Sequence, residues 1–298
     1  MKLLTYKVNE QERLGIWTEK GIVDVIKAKN SLELARCPED VMEVITRGDE
    51  GVGELRALLD RFKALASESD YLDESQLNWE PCVTRPNKII CIGLNYRKHA
   101  EETNAPIPES PVVFCKFNNA LTGNQAPIVI PKATHKVDYE AELAIVIGKK
   151  AKDVPQEKAL EYVLGYCCAN DLSARDLQRR TSQWLLGKTC DGFSPLGPYL
   201  VTADEVGNPN DLEIRTFVNG EVRQHSNTAD MIFPCDEIIS YISMHMTLLP
   251  GDVILTGTPA GVVMGYPPEK QVFLKPGDSV TVEIEKLGSL TNRFVKDA

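Results

Sequence analysis

Residues 138–148 read Asp138-Tyr139-Glu140-Ala141-Glu142-Leu143-Ala144-Ile145-Val146-Ile147-Gly148, and how this stretch is read decides the class of the fold. Its apolar, partly β-branched run ends at a glycine and is too short for a helix, so it predicts a buried strand. On a strand, Glu140 and Glu142 share one face while Ala141, Leu143 and Ile145 share the other. Moving outward, similar runs recur as KIICIGLNY from Lys88, PVVFCKF from Pro111, PIVIP from Pro127, DVILTG from Asp252 and SVTVEI from Ser279. Gly, Pro or Asn punctuates them, as expected of strands. Arg215-Thr216-Phe217-Val218 and Glu221-Val222-Arg223 flank Asn219-Gly220, a pair suited to the positive φ angles of a tight hairpin turn. Helical spacing intervenes at residues 155–166, 173–184 and 234–245. Because strands and helices do not alternate regularly, the pattern predicts an α+β fold with a mixed, curled sheet instead of a doubly wound one.

The N-terminal part has a different texture. LGIWTEKGIVDV alternates as a hairpin around Glu19-Lys20-Gly21, and residues 31–48 and 53–66 follow in helical spacing, with Gly48 as a stop. Residues 1–70 therefore predict a small α/β unit. Residues 71–87, polar and broken by Pro81 and Pro86, predict a linker, and residues 88–298 the strand-rich catalytic domain.

Composition narrows the function classes. The chain has 298 residues and a formal net charge of −10. That balance opposes a nucleic-acid groove or an anionic membrane surface as partner. An anionic substrate would need a local reversal of the field, which a bound dication would provide. The eight cysteines form no C-x-x-C pair, and Cys91, Cys115, Cys167, Cys168 and Cys190 sit among apolar residues. They read as small buried hydrophobes in a reducing compartment. The opening MKLLTYKVNEQER turns polar within a few residues, and no apolar run approaches a membrane span, so a cytoplasmic location is expected. Two nucleotide signals fail. Gly187-Lys188-Thr189 would end a phosphate-binding loop only with glycine where Ser182 stands, and the spacing of Gly257, Gly261 and Gly265 is not a dinucleotide fingerprint.

Three acidic positions carry the chemical argument. Glu140 and Glu142 would raise each other's pKa unless a cation lay between them; a solvated strand end is the other reading. Asp171 follows the apolar stretch Tyr166-Cys167-Cys168-Ala169-Asn170, and either caps a helix spanning Arg175 to Gln183 or adds a third oxygen ligand. Such a hard set suits Mg²⁺, Mn²⁺ or Ca²⁺ and leaves positions open for water and a chelating substrate. His99 and Glu102 stand three apart, so on a helical turn they would meet. They form either a surface pair or a dyad in which Glu102 orients an imidazole base.

Taken in order, Asn95-Tyr96-x-x-His99-x-x-Glu102, Asp138-Tyr139-Glu140-x-Glu142-Leu143, Asn170-Asp171-x-Ser173-Ala174-Arg175-Asp176, Trp184-Leu185-Leu186-Gly187-Lys188-Thr189, Val218-Asn219-Gly220-Glu221 and Thr256-Gly257-Thr258-Pro259-x-Gly261 resemble the fumarylacetoacetate hydrolase family. The likeness covers roughly residues 87–295 and is nearest the small domain-containing members, the second mitochondrial type and its bacterial relatives. It implies a mixed β-sandwich roll, a homodimer, and Mg²⁺ or Mn²⁺ on Glu140, Glu142 and Asp171. It implies a His99–Glu102 dyad on a lid over the substrate, Lys188 as the active-site lysine, and Arg175, Gln178 and Thr258 lining the pocket. His135 falls out of register with a histidine of some relatives and reads as a loop residue; His225 and His245 receive no role.

The resemblance implies a small 2-oxo or β-diketo acid substrate. C–C hydrolysis of an acylpyruvate ranks first, with His99 activating water and a pyruvate enolate leaving. Keto–enol tautomerisation or decarboxylation of oxaloacetate stands close behind. A non-catalytic, metal-dependent dicarboxylate-binding protein is the reading from another class.

Overall fold

The computed structural model describes residues 1–297. Its largest sheet runs in the order Gly21–Asp24, Gln11–Thr18, Lys2–Val8, Ser194–Thr202, Val163–Asn170, Ala141–Ile147, Val253–Leu255, Ile89–Gly93 and Val112–Lys116. Most neighbours are antiparallel, but Val253–Leu255 lies parallel to Ile89–Gly93, so the sheet is mixed. A five-stranded sheet contains Glu221–Asn227, Glu213–Val218, Ser279–Ile284, Gly288–Lys296 and Pro127–Ile130. This is the α+β arrangement the strand pattern predicts, with the hairpin turning at Asn219 (φ 53°) and Gly220 (φ 85°).

The strand Ala141–Ile147 is buried along its whole length. Leu143 and Ile145 pack with Tyr166, Ile214, Val282 and Ile284 between the two sheets. Ala144 and Val146 face the other way, onto Val44, Ile45, Leu55 and Leu58. These last belong to the helices Val41–Arg47 and Asp49–Leu65. A strand covered on both faces has no polar face, which is why residues 143–147, beyond Glu142, read as an unbroken apolar run. Of these, Leu143, Ile145 and Val146 each contribute about 1.5–3 kcal/mol on burial.

The structure departs from the sequence reading in several places. The N-terminal hairpin continues the large sheet, because Lys2–Val8 pairs with Ser194–Thr202. Asn78–Trp79, inside the expected linker, also pairs with Lys2–Val8. Residues 1–87 and 88–297 thus share a sheet and a core. Of the expected helix over 31–48, only Val41–Arg47 forms, capped by the Asp40 side chain two residues after Pro38. Residues 155–166 divide into a 3₁₀ turn at Gln156–Tyr162 and the start of the strand Val163–Asn170. The helix expected from Arg175 to Gln183 stops at Gln178. Cys115 is exposed on the edge strand Val112–Lys116 and Cys190 is half-buried, while Cys91, Cys167 and Cys168 are buried. Among the described residues no helix is long and apolar enough to cross a membrane.

Candidate metal centre and active site

Register brings the acidic residues together. Ala141 pairs with Asn170, so Glu140, just before one strand, and Asp171, just after its neighbour, meet at the same end of the sheet. The Asp171 N–H donates to the Glu140 carbonyl at 2.9 Å, and the Glu140 N–H donates to Asn170 Oδ1 at 3.0 Å. Glu142 lies two residues further along, on the face it shares with Glu140. Each of the three residues offers a carboxylate oxygen, and all these oxygens lie within 4.8 Å of one another. All three residues are buried.

Cations surround two of them. Lys188 Nζ donates to Glu140 Oε2 at 2.6 Å and to Asp171 Oδ2 at 2.7 Å. Lys116 Nζ donates to Asp171 Oδ1 at 2.5 Å. Arg175 Nη2 lies 2.7 Å from Glu140 Oε1, and its Nε donates to Asp138 Oδ2 at 2.9 Å. Asp171 therefore caps no helix; it is an ion-pair acceptor at the end of its strand. Glu142 is different: the Gly257 N–H donates to it at 2.7 Å, and no cation pairs with it among the described residues.

The electrostatics follow from this division. Burial pushes the Glu140 carboxyl up, but the charges of Lys188 and Arg175 outweigh it and hold the pKa down at about 2. For Glu142, burial and then the charges of Asp171 and Glu140 push the pKa well above the ordinary carboxylate range. Four carboxylates (Asp138, Glu140, Glu142, Asp171) thus face three cations (Lys116, Arg175, Lys188), a balanced set while Glu142 keeps its proton and one negative charge in excess once that proton leaves. The donors are hard oxygens with no thiol or imidazole among them, so the residues fit Mg²⁺ or Mn²⁺. With a dication the local excess becomes positive, which would favour an anionic substrate despite a net charge of −10.

The other expected residues line the same cavity. His99, Glu140, Glu142, Arg175, Gln178, Lys188 and Thr258 surround it, together with Phe114, Trp184 and Met264. His99 lies on the short helix Arg97–Glu102, and its Nδ1 is 2.8 Å from Glu102 Oε1. A carboxylate only accepts, so Nδ1 carries the hydrogen, and in the neutral ring Nε2 is the nitrogen with the free lone pair. Arg175 Nη1 donates to Gln178 Oε1, and Gln224 Nε2 donates to Thr258 Oγ1. His135, His225 and His245 are all exposed. His225 pairs with Glu213, a partner that becomes visible only across the hairpin.

Sequence reasoning missed two residues. Lys116 interrupts an apolar alternation in Val112–Lys116, and that lone charge was the available signal. Asp138 stands two residues before Glu140. Besides Arg175 it holds the N–H groups of Val263 (2.8 Å) and Met264 (3.0 Å), anchoring one wall of the cavity.

Comparison with known proteins identifies the family. The family profile described as fumarylacetoacetate (FAA) hydrolase, C-terminal, matches residues 88–295. The chain is 41% identical over 296 residues to the oxaloacetate tautomerase Fahd2a, mitochondrial, of Rattus norvegicus, covering 99% of this chain and 92% of that one. Among solved structures, a putative HpcE protein from Mycobacterium smegmatis is similar with a TM-score of 0.83 and 36% identity, covering 100% of both chains. A maleylpyruvate hydrolase from Sphingobium sp. SYK-6, in complex with manganese(II) and pyruvate, is similar with a TM-score of 0.79 and 30% identity, again covering 100% of both chains. This chain belongs to the fumarylacetoacetate hydrolase family and is an enzyme of it.

Proposed function

We propose that the enzyme interconverts the keto and enol forms of oxaloacetate or a close 2-oxo diacid, with Mg²⁺ or Mn²⁺ as its cofactor. The observation that carries this reading is the convergence of the carboxylate cluster, the Lys188 ammonium and His99 on one cavity. The similarity to a named oxaloacetate tautomerase along nearly the whole chain favours it over the hydrolysis that the family resemblance ranks first. A dication held by Glu140, Glu142 and Asp171 supplies Lewis acidity toward the carboxylate and keto oxygens of such a substrate.

The chain's own groups do the rest. Burial works against the charge on Lys188, but Asp171 and Glu140 outweigh it and raise its pKa, so it remains an ammonium. It therefore offers fixed positive charge to an enolate oxygen, not a transferable proton. His99 Nε2 takes the proton from the carbon next to the keto group and, as imidazolium, delivers it to the enolate oxygen to complete the enol, the reverse order restoring the keto form, while Glu102 holds Nδ1–H. Arg175 occupies the Gln178 carbonyl, which leaves the Gln178 amide nitrogen to donate to a substrate carboxylate. Phe114 and Trp184, in edge contact with ring centroids 5.3 Å apart, form an apolar wall that limits water.

C–C hydrolysis is the second reading. The likeness to a maleylpyruvate hydrolase holding manganese and pyruvate favours it, and the same dyad would then activate water. The deciding experiment adds enol-oxaloacetate to the enzyme with Mg²⁺, Mn²⁺ or chelator and follows the enol absorbance, assaying pyruvate alongside. Metal-dependent loss of enol without pyruvate is expected. Pyruvate formation would indicate decarboxylation instead, and cleavage of acetylpyruvate with no effect on the enol would overturn the tautomerase reading in favour of hydrolysis.

A further inference from the structure

Gly257, Gly261 and Gly265, spaced by four, fit no nucleotide motif, yet each meets a functional carboxylate or the group beside it. The Gly257 N–H binds Glu142, as described. The Gly261 N–H donates to Glu102 Oε2 at 2.9 Å, while Glu102 Oε1 holds His99. Gly265 leaves room: a Cβ there would lie 2.4 Å from the Glu102 carboxylate carbon and from its Oε2.

The tether matters because little else holds this part of the chain. Upstream, Asn95 is pinned through its side chain to the Thr256 and Phe233 carbonyls, and Tyr96 bridges to Met231. The backbone and Thr103 hydroxyl bonds at the end of the helix Arg97–Glu102 are local, returning to His99, Ala100 and Glu101. Among the described residues, Glu102 to Gly261 is the hydrogen bond that ties residues 97–110 to another segment. The Gly261 amide is itself set firmly. Its φ is +107°, a Cβ would fall 2.1 Å from the Arg223 carbonyl oxygen, and its own carbonyl accepts the Tyr139 hydroxyl at 2.9 Å.

We propose that residues 258–265 are the dock that aligns the dyad. Gly261 supplies the amide that fixes Glu102, and Gly265 supplies the space its carboxylate fills. Both are positioning residues acting through Glu102 on His99, and Tyr139 steadies the Gly261 peptide behind them. This inference rests on His99 being the proton-transferring group.

Gly265→Ala is the sharpest test, because the atoms it displaces are the end of a flexible side chain and not backbone. The expected result is a fall in kcat of about 10- to 100-fold with KM and Mn²⁺ affinity unchanged. In NMR spectra the His99 Nδ1 proton should lose its hydrogen-bonded shift. Tyr139→Phe should move both readouts in the same direction by less, and it decides the matter if Gly265→Ala fails to fold. Gly53→Ala, at an open helix surface with nothing near the added carbon, should leave activity unchanged. Wild-type kcat and an unmoved His99 signal in the folded variants would overturn the dock. So would a loss of kcat that tracks a loss of Mn²⁺ affinity. A fully active His99→Ala enzyme would instead remove the underlying proton-transfer reading, so the two failures are separable.

Discussion

Lys116 Nζ sits 2.5 Å from Asp171 Oδ1 with both groups fully buried. Its other hydrogens go to the carbonyls of Leu172 at 3.3 Å and Phe193 at 2.6 Å. An ammonium has three N–H groups, and here each has a protein acceptor, so Lys116 holds Asp171 and does not reach for substrate. Lys116→Met leaves that carboxylate short of a partner and should destabilise the metal-free protein by about 3–5 kcal/mol, measured by urea unfolding. Saturating Mn²⁺ should recover more stability in the variant than in wild type, because the ion restores positive charge beside Asp171. Equal recovery in both would count against the electrostatic account.

As a ligand of the proposed ion, Glu142 would make metal binding pH-dependent. Its carboxyl, raised by burial and then by Asp171 and Glu140, holds a proton that a dication must expel. Titration calorimetry in buffers of different ionisation enthalpy should show about one proton released per ion, with affinity rising about tenfold per pH unit below the raised pKa. Between the unfolded pKa of glutamate and this raised value the folded state binds more protons than the unfolded one. The metal-free protein therefore loses stability as pH climbs through that window. Glu140 acts in the opposite sense: its lowered pKa contributes stability at neutral pH that disappears as pH falls toward about 2. The stabilisation given by Mn²⁺ should thus grow from pH 5 to 8, and a flat profile would contradict the assignment.

Separating chemistry from metal binding requires a pair of variants. His99→Ala should lower kcat by about 10²- to 10⁴-fold and leave Mn²⁺ binding intact. Glu142→Gln should weaken both, since it removes one of the clustered carboxylates. If His99→Ala also lost the ion, the histidine would belong to the metal site and not to the proton path.

Lys188 bridges Glu140 and Asp171 while lining the cavity, so on the proposed mechanism its charge would serve both the protein and the reaction. Lys188→Met should reduce kcat by about 10²- to 10³-fold, the cost of losing a preorganised charge at an oxyanion. Mn²⁺ affinity should not fall, because a competing cation has been removed. A drop in affinity without a drop in kcat would reverse these roles.

Much of the site was legible because it breaks local rules. Glu140 and Glu142 intrude at the head of an apolar strand, and Asp171 ends another, so their charges conflict with their surroundings. The Asn219-Gly220 turn was legible because both positions need positive φ. What stayed hidden depends on contacts distant in sequence. Lys2–Val8 finds Ser194–Thr202 by a register that no local periodicity encodes. The helix after Ala174 stops at Gln178, where Gly187 packs so tightly that a Cβ would lie 2.4 Å from the Gln178 nitrogen. Asp138 could not be given its task before the chain near Val263 had folded back over it.

Two of the metal-site carboxylates sit at the paired ends of neighbouring central strands, whereas the dyad and its dock belong to irregular segments at the rim. Any drift in sequence that altered the ligand spacing would have to re-register the middle of the sheet and forfeit the molecule. Residues 97–110 belong to no strand, so changes there leave the register of the sheet untouched. On the proposed reading, the architecture sets the candidate ion ligands on the rigid sheet and the proton-handling dyad on its irregular rim.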